Sequence, residues 1–464
     1  MFDTKSTMSE IKRIEQKARD LLTKQNCPGI SVAVVDGTET VFADGFGKRQ
    51  LDPEAPATQD TVYGIGSATK PITATAVMTL ISNGKISLDD AVSSYVPYFE
   101  DTPGEPIKVS ELLSHTSGMP SDDVATIIIM DAVLGEEFNE SLDDWKEFQE
   151  YIHNSVDRRR LDENRCLYYN SGYIVLSQLI EAVSGIPFAE YVETTVLEPL
   201  DMDRSTFDVS ALKNDIHDTM TPYYEKDSEM HNIGFPDDPL LEGPGGLQAP
   251  VTDLVKFIAA WNEGNIPIDN KLATAMVEPV GAFRTFLDET EIGYGYGWMT
   301  RPFGDDVLIG HGGGTGISGG YLGFLKDSGL GIALGCNAAP DTRPESLAIE
   351  LLAEITEIEP KMVLPKRAIE QKERRVTGEY VAYGGLQEVT VSRGKEFLEL
   401  KHSSPMGTEL MRLMPTSLDP HDYTFRVAKR SGKRTTVEFF VENDSIKLIN
   451  YRNMFERVGD LENN

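Results

Sequence analysis

The sequence has few cysteines, few basic residues for its length, and no long hydrophobic run. Its three cysteines, Cys27, Cys166 and Cys336, lie far apart, and none belongs to a CxxC pair or to a Cys/His ligand spacing. An odd and sparse set of this kind argues against a disulfide framework. The seven histidines show no HExxH or similar spacing. We therefore predict no metal and no other cofactor.

Basic residues are outnumbered by acidic ones, with 43 Lys and Arg against 75 Asp and Glu and a formal net charge of −32. Such a surface repels phosphate backbones and anionic bilayers, so nucleic acid and membranes are not expected as partners. Two explanations of the acidity stay open, adaptation to high salt and ordinary solubilising charge. The segment Met1–Ser6 lacks the apolar core of a signal peptide, and the chain is expected to be cytoplasmic.

The length of the chain, together with a change from mostly helical patterns to short strand-like runs, predicts two domains. Residues 1–360 combine strand-like runs at both ends with a long, mostly helical middle. Residues 361–373 are rich in charge and are predicted to be a linker. Residues 374–464 consist of short strand-like runs separated by turn residues, which is typical of an all-β sandwich or small barrel.

Ser67 and Lys70 stand at the start of a predicted helix that runs from about Thr69 to Ser82. A spacing of three residues puts the lysine amine on the same helical face as the serine hydroxyl. The helix N-terminus and partial burial both disfavour the ammonium form, and a neutral lysine accepts the proton of a serine. The alternative is that Ser67 only caps the helix, since SxxK alone also occurs by chance.

Two further segments carry groups suited to the same chemistry. Tyr168 and Asn170 form a Tyr-x-Asn loop, which can place a phenol near the serine and an amide towards a substrate amide. The alternative there is aromatic packing before an apolar helix. His311 opens the run His-Gly-Gly-Gly, predicted to be a glycine-rich edge strand beside which an extended substrate binds. The alternative there is a flexible turn.

Other motifs are interpreted as having no catalytic role. Ser318 lies in a GxSxG pattern, but that pattern directly follows the HGGG run and precedes a strand-like run, unlike a nucleophile elbow. The GxGxxG pattern from Gly314 to Gly319 opens no helix, which argues against dinucleotide binding. His115 and Ser117 are predicted to shape a turn, and Arg158–Arg160 to form a solvated helix face.

In the order and spacing of these motifs, residues 8–357 resemble the serine hydrolases related to class C β-lactamases, D-Ala-D-Ala carboxypeptidases and D-aminopeptidases (peptidase family S12 type), a penicillin-binding-protein-like group. The resemblance implies an α/β (α+β) domain of two lobes, one built on an antiparallel sheet and one helical, with the active site between them. The C-terminal residues resemble lipocalin-like modules attached to some members. Further stretches that carry the resemblance are Val109–Pro120, Glu198–Met202, Gly245–Leu247, Thr252–Leu254 and Gly295–Trp298.

The resemblance implies a role for each candidate residue. Ser67 is the acylated nucleophile, Lys70 and Tyr168 share its activation and pass a proton to the leaving group, and Asn170 holds the substrate amide. His311 stands where β-lactamases usually carry a lysine. The glycines after it, Gly313 and Gly314, border the substrate, and the oxyanion hole consists of the N–H groups of Ser67 and Gly314. No metal takes part.

The sequence also departs from the family pattern. His311-Gly312 replaces a Lys-Thr pair that receives a substrate carboxylate, so esters, amides and short peptides are favoured as substrates over penicillins. Asp162-Glu163 stand where a Pro-Gly is common. A β-lactamase and a non-catalytic binding protein remain the alternatives. The segment Asp122–Arg160 is a candidate lid, and the C-terminal module is expected either to cover the cleft or to assemble a homo-oligomer.

Overall fold

The computed structural model describes residues 12–13, 15–20, 26–100, 102–121, 124–134, 142, 145–155, 159–160, 166–214, 217–395, 397–427, 435–442, 445–450 and 452–459. The chain divides into two compact units. The first comprises Met1–Arg284 and Glu291–Glu357, and the second comprises Thr285–Thr290 and Ile358–Asn464.

The strands are β1 Gly29–Asp36, β2 Glu39–Gln50, β3 Ala55–Pro56, β4 Tyr63–Gly64, β5 Tyr223–Lys226, β6 Glu229–Asn232, β7 Gln248–Ala249, β8 Gly281–Thr285, β9 Glu291–Tyr294, β10 Met299–Phe303, β11 Asp306–Gly314, β12 Gly319–Leu325, β13 Leu330–Cys336, β14 Gly378–Ala382, β15 Gln387–Arg393, β16 Leu398–Ser404, β17 Gly407–Pro415, β18 Thr424–Val427, β19 Thr435–Glu442, β20 Ser445–Asn450 and β21 Asn453–Gly459.

The α-helices are α1 Lys70–Ser82, α2 Val109–Leu113, α3 Val124–Leu134, α4 Trp145–His153, α5 Asn170–Ser184, α6 Phe188–Val192, α7 Val209–Asn214, α8 Pro239–Gly245, α9 Val251–Glu263, α10 Asn270–Val277, α11 Pro344–Ile355, α12 Pro360–Val363 and α13 Pro365–Val376. Short 3-10 turns include Gly66–Thr69, immediately before α1.

The first unit is built on a nine-stranded sheet in the order β3-β2-β1-β13-β12-β11-β10-β9-β8. Strands from the two ends of the unit meet at its centre, where β1 pairs with β13 in antiparallel register. Every residue of β12 and β13 is buried, because α9 and α11 both pack on these strands. The predicted α+β architecture with an antiparallel sheet is thereby confirmed.

Helix α1 is the central helix of the first unit. All its residues from Lys70 to Leu80 are buried, and its apolar side chains are spread around the whole circumference. A helix that is apolar on all sides must be enclosed by other elements, and α5 and α8 are among those that contact it. The residues at its N-terminus are therefore held by packing on every side.

The second unit is a closed antiparallel barrel in which β14 to β21 follow one another in chain order. Alternate side chains of its strands, among them Val389 and Val391 of β15, fill the interior, as expected of an eight-stranded barrel. This confirms the expected all-β C-terminal module. The segment predicted as a linker, 361–373, lies within α12 and α13, where Ala368, Lys372 and Val376 form a buried stripe at a spacing of four residues.

Among the described residues, no single helix is long and apolar enough to cross a bilayer; Asn170–Ser184 and Phe188–Leu200 reach that length and composition only as a pair bent by 77°. In the same part of the chain, no group of three or more His, Cys, Asp or Glu side chains is arranged to hold a metal ion.

Candidate active site

Ser67 lies in the 3-10 turn that precedes α1, and its side chain is partly exposed. The turn needs a glycine before the serine, since Gly66 has a φ of +56°. The Cα of Gly66 also faces the strand β11, and a Cβ there would lie 2.8 Å from the Gly314 nitrogen. Gly66 therefore allows the serine to sit directly against the sheet.

Lys70 is fully buried and points its amine at Ser67. Its Nζ lies 3.2 Å from the Ser67 Oγ, 2.8 Å from the Asn170 Oδ1 and 2.7 Å from the Pro244 carbonyl oxygen. Amide and backbone carbonyl oxygens only accept hydrogen bonds. A neutral amine with two protons satisfies both of them and keeps its lone pair for the Ser67 hydroxyl.

Burial lowers the pKa of Lys70 well below its usual value. Within the described residues no carboxylate forms an ion pair with it, so no salt bridge there offsets the cost of burying the charge. The rings of Tyr168 and Tyr173 lie 4.8 Å and 5.2 Å from its Nζ. The surroundings thus favour the form of Lys70 that can take a proton.

Tyr168 lies beside both Ser67 and Lys70. Burial raises the pKa of its phenol, and a hydrogen bond with the Ser67 side chain partly opposes that shift. The phenol therefore keeps its proton at neutral pH. Asn170, two residues on, is the first residue of α5, which fixes its amide beside Lys70.

The glycine run lies in β11, which corrects the predicted edge strand. The strand is interior to the sheet, between β10 and β12, but its pairing with β10 ends at Gly310. Among the described strands, His311–Gly314 form β-pairs only with β12. A free strand edge thus exists, but only along these four residues beside Ser67.

Gly313 makes the closest approach of this strand to the serine. A Cβ at this position would lie 2.0 Å from the Ile65 carbonyl oxygen and 2.5 Å from the Ser67 nitrogen. Only a glycine fits there. At Gly314, by contrast, a Cβ would find its nearest neighbour, the Ser318 carbonyl oxygen, 3.9 Å away.

The ring nitrogens of His311 both bond to the chain itself. Nδ1 lies 2.8 Å from the Gly312 carbonyl oxygen, and Nε2 lies 3.0 Å from the Tyr294 hydroxyl. Because the carbonyl only accepts, Nδ1 carries the proton and Tyr294 donates to Nε2. Burial lowers the pKa of His311 to about 3. This imidazole is neutral and supplies no cation to a substrate.

His115, predicted only to shape a turn, also holds the Tyr168 loop. Its backbone has a φ of 58°, its carbonyl accepts from the Leu167 N–H at 2.8 Å, and its Nδ1 accepts from the Tyr169 N–H at 3.1 Å. Its ring centroid lies 4.4 Å from that of Tyr168. The sequence signal that could have revealed this role is the polar run His115–Ser117 between buried apolar residues.

The prediction that Arg158–Arg160 form a solvated helix face is wrong for Arg159. Its side chain is 6% exposed. Its Nε donates to the Ser117 carbonyl at 2.8 Å, and one of its terminal nitrogens donates to the Pro103 carbonyl at 2.8 Å. It therefore fastens the turn that contains His115.

Two cavities meet at Ser67. One, about 120 Å³, is lined by Asn170 and by apolar groups that include Ile129, Phe235 and Leu241. The other, about 540 Å³, is lined by Tyr168, the free edge of β11 and residues that surround the N-terminus of α11. Ser67 is therefore reachable from two sides with different surfaces.

Some sequence predictions lie elsewhere or outside the described residues. Ser318 borders both cavities, but its hydroxyl bonds to the Thr315 hydroxyl at 3.0 Å. Asp162-Glu163 are outside the described residues, as are parts of the predicted lid, of which α3 and α4 are described.

The fold and this serine–lysine–tyrosine site define a penicillin-binding-protein-like serine hydrolase fold. The chain belongs to the β-lactamase family, whose profile matches residues 14–357. Residues 360–456 match the Pab87 octamerisation domain.

Three known proteins illustrate the similarity. The structure of the octameric penicillin-binding protein homologue from Pyrococcus abyssi has a TM-score of 0.83 and 29% identity, covering 96% of this chain and 100% of that one. Protein flp of Staphylococcus aureus (strain MW2) is 27% identical over 296 residues, which are 63% of this chain and 56% of flp. A D-stereospecific amidohydrolase from Streptomyces sp. shares the fold, with a TM-score of 0.60 and 22% identity over 75% of this chain and 99% of that one.

Proposed function

We propose that the protein is a serine hydrolase that cleaves ester, amide or short peptide bonds through a Ser67 acyl-enzyme. The observation that carries the proposal is the setting of the Lys70 amine. It is buried, lies 3.2 Å from the Ser67 Oγ, and has two pure acceptors for its two protons. A structural lysine has no need of this arrangement, whereas a general base does.

In the acylation step, Lys70 takes the proton of Ser67 while Oγ forms a bond to the substrate carbonyl carbon. The carbonyl oxygen becomes an oxyanion, for which the N–H groups of Ser67 and Gly314 are the proposed donors. When the tetrahedral intermediate collapses, the bond to the leaving group breaks and Tyr168 gives its proton to the departing atom. The proton held by Lys70 then restores the phenol.

In the deacylation step, a water molecule takes the place of the leaving group. Its proton passes to the Lys70 and Tyr168 pair as its oxygen attacks the ester carbon. Collapse of the second tetrahedral intermediate breaks the bond to Oγ, and Oγ regains a proton. The products are a carboxylic acid and the free enzyme, and no cofactor enters the balance.

The neutral state of His311 supports this substrate class over penicillins. A β-lactam presents a carboxylate, and an imidazole with a pKa of about 3 offers it no charge. The intact Ser67, Lys70 and Tyr168 set favours catalysis over a protein that only binds ligands. The name of the D-stereospecific amidohydrolase is compatible with amide substrates, whose stereochemistry stays open.

The test compares the wild type with Ser67→Ala on a p-nitrophenyl ester, on D- and L-amino-acid anilides and on nitrocefin, at low and high salt. We expect ester or anilide turnover that the substitution abolishes, together with slower turnover of nitrocefin. Labelling of Ser67 by a fluorophosphonate would support the acyl-enzyme. Activity that survives in Ser67→Ala contradicts the nucleophile, and a chain that no acylating probe labels is a binding protein.

We also propose that the second unit assembles copies of the chain into a homo-oligomer. Its match to an octamerisation domain and the octameric Pyrococcus abyssi homologue support this. The barrel also exposes large apolar side chains near one end, such as Met406 at 96% and Leu386 at 66%. Light scattering should give a mass that is a multiple of 51.3 kDa, reduced by the double substitution Leu386→Asp, Met406→Asp. A monomeric wild type contradicts the proposal.

A further inference from the structure

We propose that Gln248 is a specificity-determining residue that selects the acyl part of the substrate. Its side-chain oxygen, Oε1, accepts a hydrogen bond from an amide N–H of the acyl group, in the smaller of the two cavities beside Ser67. This inference rests on the proposed hydrolase function. It specifies the substrates as esters or amides of acylated amino acids, whose acyl part carries a neutral N–H group.

The oxygen of Gln248 is a buried acceptor without a donor. The residue is 6% exposed, and Oε1 accepts no hydrogen bond from any described residue. The Nε2 of the same amide donates to the Gly246 carbonyl at 3.1 Å, which fixes which end of the amide is the oxygen. Because a buried acceptor is costly to leave unpaired, Oε1 calls for a donor from outside the chain.

The backbone holds this side chain in place on the cavity wall. The Gln248 N–H donates to the Thr206 carbonyl at 2.9 Å, and the Gln248 carbonyl accepts from the Thr206 N–H at 2.9 Å. On its other edge, Gln248 pairs with Gly64 in the short sheet of β4 and β7. The residue is therefore anchored on both sides, and it lines the smaller cavity together with Ser67.

A second oxygen faces the same spot as Gln248 Oε1. A Cβ on Gly64 would lie 3.0 Å from Gln248 Oε1 and 2.9 Å from Ser318 Oγ. The Thr315 hydroxyl donates to the Ser318 carbonyl at 3.3 Å, so the Ser318 hydroxyl donates to the Thr315 oxygen at 3.0 Å and keeps its lone pairs free. Two acceptors without a donor favour an N–H group at this spot and disfavour a carbonyl, an ether or a carboxylate.

The direction of the substrate places its acyl part in this cavity. Tyr168, the proposed proton donor to the leaving group, lines the larger cavity and not the smaller, whereas Asn170 lines the smaller and not the larger. Because the proton donor must reach the departing atom, the acyl part extends into the smaller cavity, towards Gln248. The Asn170 Oδ1 accepts from Lys70, so its Nδ2 is left for the carbonyl of the same acyl amide.

The smaller cavity favours a neutral N–H group over an ammonium. None of its described lining residues is charged, so an ammonium would exchange its hydration for one amide oxygen and one hydroxyl. A secondary amide has a single N–H and loses much less hydration on entering. The apolar side chains of Ile129, Phe235 and Leu241 then suit the group that lies beyond the amide.

The test compares two achiral phenyl esters that differ at one position of the acyl part. They are N-benzoylglycine phenyl ester and phenyl β-benzoylpropionate, in which a methylene group replaces the N–H. Each kcat/KM is divided by the rate of hydroxide-catalysed hydrolysis, which removes the difference in intrinsic reactivity. Because one buried hydrogen bond is worth about tenfold, we expect the wild type to favour the N-benzoylglycine ester by about tenfold.

Two variants remove the acceptor in different ways. Gln248→Leu has no side-chain acceptor, and the methyl group of Gly64→Ala would occupy the spot between the two oxygens. In each, the preference should fall to less than about twofold, chiefly through slower hydrolysis of the N-benzoylglycine ester. Gln178→Leu is the matched control, because it removes another amide oxygen of the same unit, the acceptor of the Tyr98 hydroxyl. It should keep the full preference.

A binding measurement tests the inference without turnover. By isothermal titration calorimetry, Ser67→Ala should bind N-benzoylglycinamide about tenfold more tightly than β-benzoylpropionamide, and the further substitution Gln248→Leu should remove the difference. Equal affinities for the two amides would show that Oε1 binds only water, and they overturn the inference.

The kinetic outcomes separate this inference from the proposed function. A wild type without the preference, or a preference that survives Gln248→Leu, overturns the inference and leaves the hydrolase function standing. Hydrolysis of both esters by Ser67→Ala overturns the hydrolase function itself, and the calorimetry then decides alone whether Gln248 binds the N–H group.

Discussion

Lys70 in the first unit and Lys372 in the second are both buried to 0% exposure, and burial lowers the pKa of each. Their neighbours differ. Lys372 donates to the Ser417 carbonyl at 2.7 Å, and the charges of Asp422 and Asp419 partly restore its pKa. Lys70 has no such acidic neighbour among the described residues, and a serine hydroxyl takes that place. Burial alone therefore does not distinguish the proposed catalytic lysine from a structural one, whereas the absence of a carboxylate and the presence of a serine hydroxyl do.

Substituting the two lysines tests this contrast most directly. Lys70→Met should lower kcat/KM for an ester about 10²- to 10⁴-fold, because the proposed general base is lost. Lys70→Arg should be as slow, since a guanidinium keeps its proton. Ester hydrolysis on a substrate of proven turnover is the measurement.

Lys372→Met is the matched control for these variants. It should leave kcat/KM unchanged and lower the free energy of unfolding by about 1 kcal/mol, because the Ser417 carbonyl loses its donor. All three tryptophans, Trp145, Trp261 and Trp298, belong to the first unit, so circular dichroism is needed to follow the barrel. A Lys70→Met enzyme that hydrolyses normally, or a Lys372→Met enzyme that does not, would remove the distinction.

A second pair of variants tests whether the close approach of the strand β11 to Ser67 is needed for catalysis. Gly313→Ala should lower kcat about 100-fold, because its Cβ would collide with the Ile65 carbonyl and the Ser67 nitrogen and displace the proposed oxyanion hole. Gly314→Ala, where the added Cβ meets nothing closer than 3.9 Å, should lower it much less. Equal losses in the two variants would show that the close approach at Gly313 is unimportant.

A smaller effect is expected at His115, which acts through Tyr168. His115→Ala should lower kcat about tenfold with little change in KM, since the Tyr169 N–H loses its acceptor and the phenol loses its support. His115→Asn should recover most of the rate, because asparagine tolerates a positive φ and offers an oxygen to the same N–H. The pH–rate profile should keep its shape in both, as burial lowers the pKa of His115 well below neutrality. A displaced acid limb would assign His115 a proton-transfer role.

The sequence predicts the parts of this site that are local. The spacing of Ser67 and Lys70, the helix that ends at Ser82 and the strand-like runs at both ends of the first unit follow from periodicity and turn residues. Contacts between distant segments leave no such trace. The Pro244 carbonyl oxygen follows Lys70 by 174 residues in the chain and lies 2.7 Å from its Nζ. Nothing in the sequence indicates this contact.

Two predictions from local sequence patterns differ from the structure, at the segment 361–373 and at Arg159. The high charge of the segment 361–373 and its Pro365 indicate a linker. The spacing of four residues between Ala368 and Lys372 indicates instead the buried stripe of a helix, which the structure contains. The run Arg158–Arg160 predicts a solvated face because arginine is usually exposed, but the Arg159 side chain is buried. Its carbonyl acceptors lie in loops about 40 to 56 residues earlier, which periodicity does not reveal.

The last expected effect concerns stability and not rate, and it separates buried titratable groups from exposed ones. The pKa of His311 is lowered from 6.5 to about 3, so between these values the unfolded chain binds a proton that the native chain does not. Stability therefore falls as the pH drops through this window, by about 1.4 kcal/mol per pH unit for one such group. His311→Asn should flatten the loss of stability between pH 6 and pH 4.5, measured by urea denaturation with tryptophan fluorescence, which reports the first unit. His231→Asn, at an exposed histidine of the β5–β6 hairpin, should leave the slope unchanged. If the two variants show the same slope as the wild type, the His311 ring is protonated in the native protein and could after all present a cation at the Ser67 site.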